Sequence, residues 1–275
     1  MGIIDGKMVA SQIKENITTE VQSLKKKTGK SPGLAVVLVG DDPASAVYVR
    51  NKNKTCNNIG FQSFENILPA NTSESELLNL IHELNNDEKV NGILVQLPLP
   101  NHIASKKILE AINPQKDVDG FHLENVGRLV TGHSLFKPCT PAGIIKLLDK
   151  YDVEIEGKNA VIIGRSNIVG KPVAFLLLER NATVTICHSR TKNLSNLARS
   201  ADILIAAIGK PNFVTADMVK DNSVVIDVGI NRLAGKLVGD VDFSAVLKKA
   251  SLITPVPGGV GPMTIAMLME NTFQA

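Results

Sequence analysis

Short runs of apolar, often β-branched residues recur along the chain, separated by stretches in which apolar positions return every three or four residues. The runs are GLAVVLVG (33–40), NGILVQLPLP (91–100), NAVIIG (159–164), ATVTICH (182–188), DILIAAIG (202–209) and SVVIDVG (223–229). Apolar character without in-out alternation marks strands covered on both faces. The stretches between them read as helices near 6–27, 43–59, 73–86, 102–112, 142–150, 169–180 and 193–199, with a last one from 262. Alternation of strand and helix predicts parallel sheets flanked by helices. The rhythm breaks at FKPCTPAG (136–143), where two prolines interrupt it before a new βαβ series opens at Lys158. The expected fold class is α/β in two domains, 1–139 and 140–261, with a cleft between them.

Composition narrows the partners. At 275 residues with 44% hydrophobic content the chain has enough apolar material for two packed cores. Thirty basic residues face 27 acidic ones, and the formal +3 is spread too evenly for a nucleic-acid or membrane surface. A small molecule is the expected partner. Cys56, Cys139 and Cys187 stand far apart with no CxxC pair, which argues against a metal site or a disulfide framework and fits a reducing, cytoplasmic location. The opening MGIIDGKMVASQIKEN mixes charge into its apolar positions and reads as neither signal peptide nor membrane span.

The helix over 43–59 holds two lysines, Lys52 and Lys54, in YVRNKNKTC. At about 100° per residue, Ser45, Tyr48, Lys52 and Cys56 fall on one stripe and Lys54 on the opposite side. A lone surface lysine is usually a solvated charge, so the stripe gains meaning only from polar residues elsewhere. Gln96 supplies one, at the end of an otherwise wholly apolar strand, where its amide must be hydrogen-bonded or exposed. KDVDGFH (116–122) adds two carboxylates two apart, Asp117 and Asp119, in a sequence that also suits a solvated turn. ITPVPGGVGPMT (253–264) puts three prolines and three glycines before an apolar helix, as a bare backbone beside a ligand or a rigid connector would require.

NAVIIGRSNIVGKP (159–172) is a strand, a turn and a helix start, the setting of a dinucleotide-binding turn. Gly164 and Gly170 are six apart, and Ser166 stands where a second glycine would bring the backbone close to a pyrophosphate. The phosphates are then expected further out, or bonded to Ser166. The next strand ends ICHSRTK, with no carboxylate between Glu179 and Asp202 to hold ribose hydroxyls. Arg165, Ser189, Arg190, Thr191 and Lys192 offer positive charge and hydroxyls instead, which suit a 2′-phosphate. NADP is therefore expected over NAD, with Gly229 and Ile230 of IDVGINR as a backbone edge for the nicotinamide end.

Together PASAVYVRNKNKTC, GILVQLPLP, KDVDGFH, GRSNIVGKP and TPVPGGVGPMT resemble, in order and along nearly the whole chain, the bifunctional methylenetetrahydrofolate dehydrogenase/methenyltetrahydrofolate cyclohydrolase family. The resemblance implies a folate-binding catalytic domain over 1–139, a Rossmann NADP domain over 140–261, return of helix 262–275 to the first domain, and a homodimer formed through the cofactor domains. It implies that Lys52 is the catalytic lysine with Gln96 beside it, that Tyr48 stacks on the aminobenzoyl ring, and that Asp119 grips the pterin. Ser45, Pro257, Gly258 and Gly259 are implied to line the folate pocket, and Gly164, Arg165, Ser166, Ser189 and Ile230 to touch the cofactor; Arg190 joins them from its charge. No metal is implied. Two other readings fit parts of the pattern: a shikimate-type or amino-acid NADP dehydrogenase with a Lys/Asp pair, and a non-catalytic folate or NADP binder.

Overall fold

A computed structural model describes residues 2–275, the side chain at position 44 excepted. The chain opens with β1 (Gly2–Ile3), α1 (Gly6–Thr28), β2 (Gly33–Val39), α2 (Pro43–Ile59), β3 (Gln62–Leu68), α3 (Glu74–Asn86) and β4 (Gly92–Val95). It continues through α4 (Ser105–Ala111), α5 (Leu123–Val130), α6 (Cys139–Lys150), β5 (Asn159–Ile163), α7 (Gly170–Glu179), β6 (Thr183–Cys187), α8 (Leu194–Arg199) and β7 (Ile203–Ala206). It closes with β8 (Val224–Asp227), β9 (Asn231–Leu233), β10 (Lys236–Val238), α9 (Phe243–Val246), β11 (Leu252–Ile253) and α10 (Val260–Gln274). These elements form two compact units: the β2 unit, of Gln12–Cys139 and Leu268–Ala275, and the β5 unit, of Met1–Ser11 and Thr140–Met267.

The β2 unit is built on a three-stranded parallel sheet in the order β3-β2-β4. Every residue of β2 is buried. Ala35, Val37 and Val39 join Leu77, Ile81 and Leu84 of α3 and Ile108 of α4 in one apolar cluster, so a strand without alternation is here a strand covered on both faces. β3 escapes the hydrophobic pattern because it is an edge strand, and it leaves Gln62, Glu65 and Ile67 exposed. α2 starts where its sequence directs: the Asp42 side chain accepts from the Ser45 N–H at 2.7 Å, Pro43 takes a position that needs no donor, and Gly60 closes the helix at φ 90°. Such a cap contributes about 1 kcal/mol.

The β5 unit holds a six-stranded parallel sheet in the order β1-β11-β8-β7-β5-β6. From β5 the chain moves outward to β6 and then back across β5 to β7, so the strand order reverses at β5. Ligands of open α/β sheets bind at the carboxyl ends of strands at such a reversal. Residues 2–11, expected with the first domain, belong to this unit because β1 pairs with β11 (Gly2↔Leu252, Ile3↔Ile253). Two residues are too short to leave a periodic signal. β6 also differs from expectation: Thr183 and Ile186 are exposed, because this strand is the other edge of the sheet. The β9–β10 hairpin, not foreseen, turns at Ala234 and Gly235, both at positive φ (49° and 79°), the backbone a tight hairpin demands. Among the described residues no helix is long and apolar enough to cross a membrane.

Candidate active site

The buried stripe of α2 carries Ser45, Val49, Lys52, Cys56 and Ile59, with Lys52 9% exposed. Tyr48 stands at its margin, 39% exposed, and Lys54 on the open face. β4 ends at Val95, and the next residue, Gln96, points its amide at the stripe: Lys52 Nζ donates to Gln96 Oε1 at 2.9 Å. The amide is fixed the right way round because its Nε2 donates to the Leu97 carbonyl at 2.7 Å. A glutamine here offers an oxygen without a charge, so it holds the amine in place without strongly favouring the ammonium form.

Asp119 is the other charged neighbour. Burial lowers the Lys52 pKa from the ordinary lysine value, with the Asp119 charge opposing the shift. Burial pushes the Asp119 carboxyl up to about 6, against the pull of Lys52 and with help from Asp117. Desolvation thus draws both members of the pair towards neutrality, and the proton balance belongs to the pair as a unit. The Cys56 thiol is pushed up to about 12 and the Cys139 thiol well above its usual range, both chiefly by burial, so neither is a nucleophile near neutral pH.

The Asp119 turn is held by Asp117, its partner in the KDVDGFH pattern, and by residues that the pattern did not single out. Asp117, only 1% exposed, accepts from the His122 N–H and from Asn125 Nδ2, each at 2.8 Å. It is therefore a brace for the turn, and the solvated-turn alternative does not apply to it. Gly120 lies at φ 72°, which completes the reversal. Behind it, Cys139 Sγ donates to the Val118 carbonyl at 3.3 Å, and Asn271 Nδ2 donates to the same carbonyl at 2.8 Å and to that of Lys137 at 3.0 Å. Asn271 is 152 positions from Asp119 in the chain, 271 against 119, a separation no motif spans.

The cofactor candidates lie in the β5 unit. Gly164 follows β5 at φ 135°, and a Cβ there would lie 2.1 Å from the Ala207 carbonyl oxygen; one on Gly170 would lie 2.3 Å from the Gly164 oxygen. Both glycines are thus required by close backbone approach at the strand reversal. The Ser166 hydroxyl accepts from the N–H groups of Val169 (3.1 Å) and Gly170 (3.2 Å), which caps α7 and leaves its own O–H free to donate to a phosphate oxygen. Arg165, Ser189 and Arg190 are exposed at the ends of β5 and β6, as is Ile230 after β8. A bare glycine turn with cations at its rim fits a dinucleotide phosphate. Pro257, Gly258 and Gly259 belong to this unit too: Lys7 N–H donates to the Gly258 carbonyl at 3.1 Å, and Gly6 has no room for a Cβ, which would lie 1.8 Å from the Gly259 oxygen. No group of three or more His, Cys, Asp or Glu that could hold a metal occurs among the described residues.

Known proteins match this arrangement over its full length. Residues 4–119 match the tetrahydrofolate dehydrogenase/cyclohydrolase catalytic domain, and residues 138–275 the NAD(P)-binding domain of the same family. The bifunctional protein FolD of Campylobacter hominis is 60% identical over 276 residues, covering 100% of this chain and 97% of that one. The crystal structure of the bifunctional FolD methylenetetrahydrofolate dehydrogenase/cyclohydrolase from Campylobacter jejuni superposes with a TM-score of 0.98 at 56% identity, over 99% of this chain and 97% of that one. The Trypanosoma brucei methylenetetrahydrofolate dehydrogenase-cyclohydrolase, complexed with NADP cofactor and inhibitor, superposes at 0.95 with 40% identity, over 99% and 96%. The chain belongs to the tetrahydrofolate dehydrogenase/cyclohydrolase family.

Proposed function

We propose that Lys52 moves the protons of the cyclohydrolase reaction, that Gln96 aims its nitrogen, and that Asp119 holds the pterin. The protein is a bifunctional enzyme of one-carbon metabolism. It oxidises 5,10-methylenetetrahydrofolate to the 5,10-methenyl cation with NADP, then hydrolyses the cation to 10-formyltetrahydrofolate. NADP, when bound, supplies the hydride acceptor. The residues around that step have to orient rather than to move protons, because hydride transfer depends chiefly on geometry.

Hydrolysis differs. Addition of water to the cation releases a proton, and ring opening then carries the hydroxyl proton to the departing nitrogen. A base and an acid are needed, and a lysine at its unperturbed pKa is a poor base near neutral pH. Desolvation of Lys52 favours the neutral amine, and a bound cation would lower its pKa further. The carboxylate of Asp119 accepts the amino and ring N–H groups of a pterin. Tyr48 offers an exposed ring to the aminobenzoyl group, with Ser45 on the same helix face. Gly164, Arg165, Ser166, Ser189, Arg190 and Ile230 hold NADP.

The 2.9 Å contact between a buried lysine and the oxygen of Gln96 carries this reading. Lys52→Met keeps bulk and removes the nitrogen, so cyclohydrolase turnover should fall by about 10²-fold or more, with a smaller loss in the dehydrogenase. Lys54→Met, on the exposed face, should change either rate by less than about twofold. Equal sensitivity at the two positions would refute the assignment.

The quaternary reading is a homodimer through the β5 units. β6 is an unpaired sheet edge with Ile186 exposed, and Leu178 of the preceding helix is 58% exposed. The three cysteines are free and buried, which suits a reducing cytoplasm.

A further inference from the structure

Two buried carboxylates in the β5 unit have no part in the functions assigned so far. Asp227 ends β8 and Asp240 follows β10; they are 2% and 0% exposed. Asp240 Oδ2 accepts from the N–H groups of Ile208 (2.6 Å) and Gly209 (2.9 Å), and Oδ1 from that of Lys210 (2.9 Å) and from Asn231 Nδ2 (2.9 Å). One carboxylate therefore gathers three successive amides of the loop after β7 and ties them to the residue that follows Ile230.

Asp227 braces the arrangement from below. Its Oδ1 accepts from the N–H groups of Gly229 (3.0 Å) and Asp240 (2.9 Å), its Oδ2 from that of Val241 (3.0 Å), and its own N–H donates to Thr254 Oγ1 at 2.7 Å. Two glycines make room for the pair. A Cβ on Gly229 would lie 2.2 Å from Asp240 Oδ1, and one on Gly239 1.8 Å from Asp227 Oδ2.

Burying two carboxylates costs free energy that an apolar packing of the same volume would avoid. What the carboxylates provide instead is direction, since each oxygen fixes N–H groups at set angles. The amides so fixed belong to the two loops at the carboxyl ends of β7 and β8, beside the Gly164 turn that touches Ala207, and to the segment after β10 that carries Asp240 itself. We infer that Asp240, held by Asp227, is a positioning residue that sets the backbone edge Val228–Ile230 and the loop Ile208–Lys210 against the nicotinamide end of NADP. This rests on the reading of Ile230 as a cofactor contact.

Asp240→Asn tests it directly. Asp240 Oδ2 faces two backbone N–H groups and Oδ1 one backbone N–H and the Asn231 amide, so the new NH₂ must confront at least one backbone N–H whichever way the amide turns. In the full-length enzyme the NADP Kd should rise about tenfold or more, the loss expected when a charged acceptor is disrupted. The deuterium isotope effect on dehydrogenase kcat should increase as hydride transfer becomes slower than product release. Cyclohydrolase measured on methenyltetrahydrofolate without NADP should stay within about twofold, since surroundings away from the altered group are usually perturbed little. A purely architectural pair would instead lower the melting temperature and both activities together, with an unchanged isotope effect, and that outcome overturns the inference. If Asp240→Asn does not fold, Asn231→Ala, which removes one of the four donors, should still raise the NADP Kd severalfold with cyclohydrolase retained; an unchanged Kd overturns it. Ile230→Ala separates the two levels. Unaltered NADP binding in that variant removes the cofactor reading and the inference with it, whereas weakened binding there beside wild-type behaviour of Asp240→Asn sinks the inference alone.

Discussion

Lys52 and Asp240 are both ionisable side chains withdrawn from water, at 9% and 0% exposure, yet their surroundings differ in kind. The four strong contacts of Asp240 saturate its two oxygens. Lys52 has three N–H donors and, among the described residues, one hydrogen-bond acceptor, Gln96. A buried group whose acceptors are all filled is a fixture, whereas Lys52, lowered in pKa by burial and with donors left over, keeps a valence for substrate or water. On the roles proposed above, the β2 unit would hold the proton chemistry in side chains, and the β5 unit its cofactor edge in backbone that carboxylates keep still.

The difference can be broken from the chemical side first. Asp119→Ala should lower kcat/KM of both activities by about 10²-fold, the loss of two charge-assisted bonds of roughly 1.5 kcal/mol each, while NADP affinity measured by calorimetry is unchanged. A loss of NADP affinity with folate binding intact would exchange the roles of the two units. Next in size is the binding side: Arg165→Ala should weaken NADP by about tenfold or more, one charged phosphate contact, and should narrow the preference over NAD. Equal binding of NADP by wild type and variant would remove Arg165 from the phosphate site.

Protonation sharpens the comparison further. With the Asp119 pKa near 6, the carboxylate is ionised above that value and accepts pterin N–H groups, and it is increasingly protonated below it. The KM for folate should therefore rise as pH falls, by about tenfold between pH 7 and pH 5 from the titration alone, and this trend should vanish in Asp119→Asn. The cyclohydrolase kcat should rise with pH as Lys52 loses its proton, and should level off below the ordinary lysine value of 10.5 because its pKa is lowered. A profile still climbing at that value would place the proton on another group. The smallest effect is at the sheet edge: Ile186→Lys should convert a dimer to a monomer by light scattering with both activities largely kept, and an unchanged mass would move the interface elsewhere.

How much of this was legible in the sequence follows from the range of each interaction. β2, β5, β7 and β8 announced themselves because strands covered on both faces are apolar throughout. β3 and β6 misled in opposite directions, since edge strands carry one neighbour and mixed surfaces. Lys52 and Gln96 could be paired only through a helix-face argument and a family likeness; Gln96 stood out as a polar residue at the end of an apolar strand, whereas Lys52 sat among other polar residues. Asn125 and Asn271 gave no such signal, and Asp117 and Cys139, though noticed, gave none of their bracing role: these residues act by hydrogen bonds across the fold, and their types are ordinary where they stand. Asp227 and Asp240 are 13 positions apart, 240 against 227, and their function depends on amides contributed by the loop after β7, which no local spacing reveals.

The route of the chain between its two units has a consequence for anyone who would cut it. The chain passes from one unit to the other within α1, between Ser11 and Gln12, again between Cys139 and Thr140, and a third time within α10, between Met267 and Leu268. Neither half is therefore a contiguous stretch of gene. A fragment ending at residue 139 would lack Asn271 and the other α10 side chains that finish its interior, and a fragment beginning at residue 140 would lose β1 and the Gly6 turn against Gly259. Domain shuffling by simple truncation and fusion is closed to this architecture. A hybrid that exchanged one unit between relatives would need three junctions, each of them inside a helix, where a one-residue error in register turns every later side chain by about 100°.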